Sequence, residues 1–247
     1  MQTLKPSNPK TIAQQTLLAC ARSQPEPEGL EPLLRAGLDW DHFLDLGAYH
    51  KLLPLAYARL RELGGDRVPP KVMAQLQGNY YANLAHIVRL QASLAQIVTA
   101  LQAAGLQPIV LKGGALAGTV YPDPGLRPMG DLDLLVPTAD MARAGTALVA
   151  LGFRLSAGLP ARMVAFQQRL GGGLEYLCRG DFGLTRVDLQ HDLVGVDLCR
   201  HAFAIEPGAL WAAARPLALE HGQALQLSAE DTLIHLCLHP ALHHGYA

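Results

Sequence analysis

The sequence predicts an α+β protein in which a small mixed β-sheet core is flanked by N-terminal and C-terminal helical segments. Three observations carry this. Through the first hundred positions apolar residues recur three and four apart, the period of a helix with one buried face. Between 105 and 204, short apolar runs of strand length alternate with glycine and proline turns. From Glu206 the helical spacing returns. The corresponding organisation is a helical region over 1–104, a core over 105–204 and a C-terminal helical segment over 205–247.

Taken in order, residues 11–22 (TIAQQTLLACAR) place Ile12, Leu17, Leu18 and Ala21 on a helical period, and SQPEPEG from Ser23 to Gly29 reads as a loop between helices. From Asp39, DWDHFLDLGAYHKLLPLAYARLRELGG keeps the period until Gly64 and Gly65 stop it. The stretch from Lys71 to Ala104 has no proline and one glycine. Its stripe of Leu76, Tyr80, Leu84, Ile87, Leu90, Leu94, Ile97 and Leu101 predicts one long amphipathic helix, closed by Gly105 as a C-cap. QPIVLKGG then reads as a short strand running into a glycine turn, ALAGTVY as a short helix, PDPGLRPMG as a loop stiffened by three prolines, and DLDLLV as a strand. Residues 138–151 predict a helix capped by Thr138 or Asp140. GDFGLTRVDLQHDL predicts a hairpin-like turn into a strand bearing Asp188, so the core runs strand, helix, strand, helix, strand. In the C-terminal segment SAEDTLIHLCLH opens on a capping box, Ser228 leading and Asp231 three later.

Composition bounds the function. Twenty basic and twenty-one acidic residues give a formal charge of −1, which argues against general electrostatic attraction to nucleic acid and leaves a polyanion to be recognised locally. The four cysteines form no Cys-x-x-Cys pair, so neither a disulfide framework nor a thiolate zinc site is indicated. No uninterrupted apolar run reaches the roughly 18 residues of a membrane span, and a cytoplasmic protein without a membrane partner is expected. No period of 20 to 50 residues repeats.

The chemistry concentrates in LKGGALAGTVYPDPGLRPMGDLDLLVP, Leu111 to Pro137. Side chains two apart on a strand share a face, so Asp131 and Asp133 point the same way. Paired carboxylates in an apolar strand repel and lose solvation unless a positive group lies between them, and a metal ion answers that need. A third carboxylate on a neighbouring strand, Asp188, completes what a two-magnesium phosphoryl-transfer site requires. Asp181 and Asp192 compete for that third place, though Asp192 falls past the strand's end. Gly113 and Gly114, joining a strand to a helix, leave backbone N–H groups for a phosphate. Lys112 reads either as a phosphate cation or as a solvated neighbour of the glycines, and Arg127 either as a second cation or as a salt-bridge partner of Asp131 or Asp133. His235, His239 and His243 are spaced for one helical face, but Pro240 interrupts it and a core or site-wall role is favoured over a metal site. Tyr80 and Tyr81 read as packing rather than base stacking.

The order Gly-Gly, then Asp-x-Asp, then a lone Asp on a later strand resembles the polymerase β-type nucleotidyltransferase superfamily. Within it, VLKGGALAGTVYPDPGLRPMGDLDLLV, VDLQHDL and EDTLIHLCLHPALHHG are similar to a bacterial family of uncharacterised nucleotidyltransferases. The resemblance covers Pro108 to Pro137 most specifically and the stretches around Asp188 and Asp231 to His244 less so. It implies that 105–204 is a nucleotidyltransferase core, that Asp131, Asp133 and Asp188 bind two Mg2+ ions and catalyse, and that Gly113, Gly114, Lys112 and Arg127 hold a nucleoside triphosphate, ATP foremost. The acceptor hydroxyl is left open among a protein, a tRNA and a small molecule. The family places Asp-x-His at the third carboxylate, whereas this chain has Asp188-Leu189-Gln190-His191. Members also continue beyond the point matching Ala247, so the C-terminal segment is read as truncated. Two rival classes remain: a non-catalytic nucleotide-binding regulatory or antitoxin-like module, and a kinase using the same carboxylates.

Overall fold

A computed structural model describes residues 9–22, 27–156, 164, 166, 171–180, 183–194 and 205–243. It is an α+β fold, with helices flanking a mixed seven-stranded sheet. The chain divides into two compact units, one formed by residues up to 87 with 123–128, the other by 88–122 with 129 onward.

The first unit is helical: α1 (Pro9–Ala21), α2 (Pro27–Arg35), α3 (Trp40–Tyr49), α4 (Leu53–Leu63) and the first part of α5 (Pro70–Ala103). Ile12, Leu17, Phe43, Leu60 and Leu76 form its buried cluster. The helical period that runs from Asp39 to Gly64 is carried by two helices, α3 and α4. Lys51 adopts φ +57°, a left-handed conformation that an α-helix cannot pass through, and Pro54 sits at the start of α4 where its missing N–H costs nothing. Residues 123–128 belong to this unit: Tyr80 donates its hydroxyl proton to Asp123, and the Asn83 amide donates to the Gly125 carbonyl at 2.7 Å. Tyr80 also packs on Tyr57 with ring centroids 5.1 Å apart.

The second unit holds the sheet. Its strands are β1 (Ile109–Val110), β2 (Leu132–Leu135), β3 (Arg154–Leu155), β4 (Gly173–Gly180), β5 (Gly183–Gln190), β6 (Arg215–Leu219) and β7 (Gly222–Gln226), in spatial order β3-β4-β5-β2-β1-β7-β6. β5 runs parallel to β2, which runs antiparallel to β1. The helices are α6 (Lys112–Thr119), α7 (Met141–Ala150), α8 (Pro207–Ala213) and α9 (Ala229–His243), with the later part of α5. Leu90, Leu94, Ile97 and Leu101 are fully buried in that part of α5, and α5 as a whole, Pro70–Ala103, is the one described helix long and apolar enough to cross a membrane by length and composition.

Four expectations are corrected. The C-terminal segment is not helical throughout: RPLALEHGQALQ forms the β6–β7 hairpin, closed by two residues with Gly222 at φ +104°. The core contains β3 and β4 in addition to the three strands expected. α7 has no side-chain cap, because the Asp140 carboxylate accepts from Arg143 at 3.0 Å instead of the helix N–H groups. α9 continues through Pro240 to His243. Its start is as expected, with Asp231 N–H donating to Ser228 Oγ at 3.0 Å and that hydroxyl donating to the Asp231 carboxylate at 2.6 Å.

Candidate active site

Three strands bring the carboxylates together. Asp133 on β2 pairs in register with Asp188 on the parallel strand β5, and Asp188 pairs with Glu175 on the antiparallel strand β4. Directly paired residues share a face, so Asp133, Asp188 and Glu175 form one row across the sheet. Asp131 lies just before β2, two residues from Asp133. On the other face of β5, Val187 and Leu189 are fully buried, which fixes the register that exposes Asp188.

Asp133 is only 4% exposed. Lys112 donates to its Oδ1 at 2.7 Å and the Gln190 amide donates to the same oxygen at 2.9 Å. Burial still raises the Asp133 carboxyl above its ordinary range, against the attraction of Lys112, and the Asp131 charge raises it further. Asp188 is pushed up to about 6, first by burial and then by the charges of Asp133, Asp131 and Glu175, with Lys112 opposing. The site therefore concentrates negative charge that one lysine does not neutralise.

Lys112 is aimed by its backbone. Leu111 N–H donates to the Asp133 carbonyl at 2.9 Å, extending the β1–β2 ladder, and Lys112 then takes φ +44° to open α6. The expected glycine turn is instead the first turn of that helix, and both glycines are buried. A Cβ on Gly113 would lie 2.9 Å from the Cβ of Met129, and one on Gly114 would lie 2.8 Å from Val110 Cγ1. Close packing thus requires glycine at both positions, while the N–H groups of a helix's first turn lack intrahelical acceptors.

A family model described as uncharacterised nucleotidyltransferase matches residues 36–247, which span the sheet, α6 and every residue of the carboxylate row. The chain belongs to this nucleotidyltransferase family. No curated protein matches it. Membership makes nucleotidyl transfer the reaction class and a nucleoside triphosphate the substrate.

Within this nucleotidyltransferase the remaining candidates fall out as follows. Arg127 lies in the helical unit, following the short 3-10 turn Pro124–Leu126, and donates to the Pro128 carbonyl at 3.4 Å. Asp192 lies past the end of β5 and accepts from Val194 N–H at 2.7 Å, and Asp181 lies outside the described residues. His235 is buried, with its ring centroid 6.2 Å from that of His239, while the side chain of His243 lies outside the description. Sequence reasoning missed Glu175 and the contact made by Gln190. Glu175 is legible once GLEYLCRG is paired with GLTRVDLQ as a hairpin, because the pairing sets it opposite Asp188. Gln190 serves as a donor to Asp133.

Proposed function

We propose that the chain is a metal-dependent nucleotidyltransferase that moves a nucleoside monophosphate from a nucleoside triphosphate, ATP foremost, to an acceptor hydroxyl. The observation that carries this reading is the register pairing of Asp133 with Asp188 beside Lys112, in a chain of a nucleotidyltransferase family.

Magnesium fits the residues by donor chemistry. Asp131, Asp133 and Asp188 offer carboxylate oxygens, and the hydrogen bonds from Lys112 and Gln190 both fall on Oδ1 of Asp133. Among the described residues, no three histidine, cysteine, aspartate or glutamate side chains are already gathered as a preformed cage. Magnesium is commonly held by one or two carboxylates together with substrate phosphates, which asks for no such cage. Asp131, Asp133 and Asp188 would hold the metal, which when bound would supply charge neutralisation at the α-phosphate and the departing pyrophosphate.

The chain's own groups perform the rest. Lys112 is placed to turn its ammonium from Asp133 to the triphosphate, and the first-turn N–H groups at Gly113 and Gly114 add donors near the dipole of α6. Asp188, on the same face as Asp133, is placed to help activate the acceptor hydroxyl by accepting its proton. The acceptor oxygen then bonds to the α-phosphorus, the bond from that phosphorus to the bridging oxygen breaks, and pyrophosphate leaves with the electron pair.

The test is transfer of label from nucleoside triphosphates labelled at the α-phosphate into the protein, RNA and small-molecule fractions of a cell extract with magnesium. Incorporation that disappears in Asp131→Ala/Asp133→Ala is expected. Labelling from γ-labelled ATP alone would replace this reading with a kinase, and none from either position would leave the binding module.

A further inference from the structure

The sheet face that carries the carboxylate row continues past it toward the β3 edge. Two residues along β5 from Asp188 stands Arg186, opposite Leu177, and two further stands Leu184, opposite Arg179. Arg154 on β3 pairs with Leu177, so it projects on this same face. Here the surface is a groove of about 550 Å³ lined by Gly152, Arg154, Leu155, Leu177, Arg179 and Leu184. At the usual rise of about 3.3 Å per residue, the Arg179–Leu184 pair lies about 13 Å along the strands from Asp188.

The charges on this face are ordered. Nearest the row, Arg186 is committed to Glu175 at 3.1 Å. Farther out, Arg154 and Arg179 are exposed, and among the described residues neither guanidinium has a hydrogen-bond or ion-pair partner. The half-buried Leu177 adjoins both, opposite Arg154 and two residues along β4 from Arg179, and the half-buried Leu184 stands opposite Arg179 on β5. Two arginines that have no acidic partner among the described residues, at the end of an apolar-floored groove, are complementary to an anion, and the planar guanidinium matches a phosphate with two parallel hydrogen bonds. The cavity is of small-molecule size. Two arginines and a net charge of −1 are too little for a polynucleotide track, which needs many phosphate contacts.

We propose that this groove is the acceptor site: it takes a small phosphorylated compound, with Arg154 and Arg179 gripping the phosphate while its hydroxyl reaches toward Asp188. The proposal rests on the nucleotidyltransferase reading for the role of the ligand, but the binding it requires does not depend on catalysis.

Calorimetric titration of the full chain with ribose 5-phosphate, in EDTA and without nucleotide, separates the two. Saturable binding is expected, absent with ribose and weakened about tenfold or more in Arg154→Gln/Arg179→Gln, as befits two charge-assisted contacts. Arg215→Gln, which alters an exposed arginine on β6 at the opposite edge of the sheet, should bind as the unaltered chain does. Circular dichroism establishes that each variant is folded. Absence of saturable binding at tens of millimolar, or affinity within twofold in the double variant, overturns the proposal. So does tighter, arginine-dependent binding of a ten-nucleotide oligomer, which would assign the groove to nucleic acid. None of these outcomes depends on label transfer, so loss of the catalytic reading and loss of the groove remain distinguishable.

Discussion

The two faces of the β4–β5 hairpin are made by the same sixteen residues and do opposite things. On one face Leu174, Tyr176, Thr185, Val187 and Leu189 are buried, and Arg89 from α5 ties the strand down by donating to Thr185 Oγ1 at 2.8 Å and to the Leu184 carbonyl at 3.2 Å. On the other face Glu175, Arg186, Asp188 and Gln190 are only partly covered and carry charge or amide groups. Alternation lets one strand hold the fold with its odd residues and assemble charge with its even ones. The lesson is that repulsion on the second face is tolerated because burial on the first supplies the stability, so substitutions on the two faces should move activity and stability in opposite senses.

The largest effect breaks the charged side. Asp131→Ala/Asp133→Ala should lower α-label transfer by about a thousandfold or more, the loss expected when groups acting in the transition state are removed. Next comes the buried side. Leu189 is fully buried, and Leu189→Ala should lower the unfolding free energy by about 2–5 kcal/mol through lost transfer energy and a residual cavity. Urea titration measures it. If Leu189→Ala instead left stability intact while abolishing transfer, the division of labour between the faces would be wrong.

How much of this was legible in the sequence follows the same division. Period and spacing gave the long α5, the strand bearing Asp131 and Asp133, and Asp188 on a later strand, because apolar alternation is a local signal and burial enforces it. The break at Lys51 was not legible, since a left-handed lysine leaves no mark in composition. Nor was the β6–β7 hairpin: RPLALEHGQALQ has alanine and leucine spacing that suits a helix, and its strand identity comes from the parallel pairing of β7 with β1, a contact over a hundred residues distant. The glycines were read as a phosphate-binding turn, but Met129 and Val110 supply an independent packing reason for them. Glu175 was hidden because membership in the row depends on register, which only the folded hairpin sets.

A smaller effect sharpens the comparison. The Asp188 carboxyl stands at about 6 in the folded chain against an ordinary 3.8. A raised acid binds its proton more tightly when folded, so its favourable contribution is complete below pH 3.8 and is lost as pH rises through about 6. Without metal, stability should therefore fall across that window, and Asp188→Asn should lessen the fall, leaving the part due to the likewise raised Asp133, and make the chain about 1–2 kcal/mol more stable at pH 7 once solvent screening is allowed for. The same variant should lose transfer activity. Thermal unfolding in EDTA at several pH values measures this, and a flat profile for the unsubstituted chain would mean that the row is not electrostatically strained.

The smallest effect decides where the row ends. Glu175 raises the Asp188 carboxyl, but less than burial, Asp133 or Asp131 does, and it is itself paired with Arg186. Replacing it in Glu175→Gln removes one repulsive charge and frees the Arg186 guanidinium, and both changes favour ionised Asp188. The titration of Asp188, followed by carboxyl carbon resonances, should therefore move to lower pH by only a small part of its total displacement. An unmoved titration would show that neither charge of the Glu175–Arg186 pair reaches Asp188, ending the acidic row at Asp188. A downward shift would make Glu175 its fourth carboxylate, set between the reacting centre and the arginine groove, where its negative charge would turn an incoming phosphate outward toward Arg179 and leave the acceptor's hydroxyl end facing Asp188.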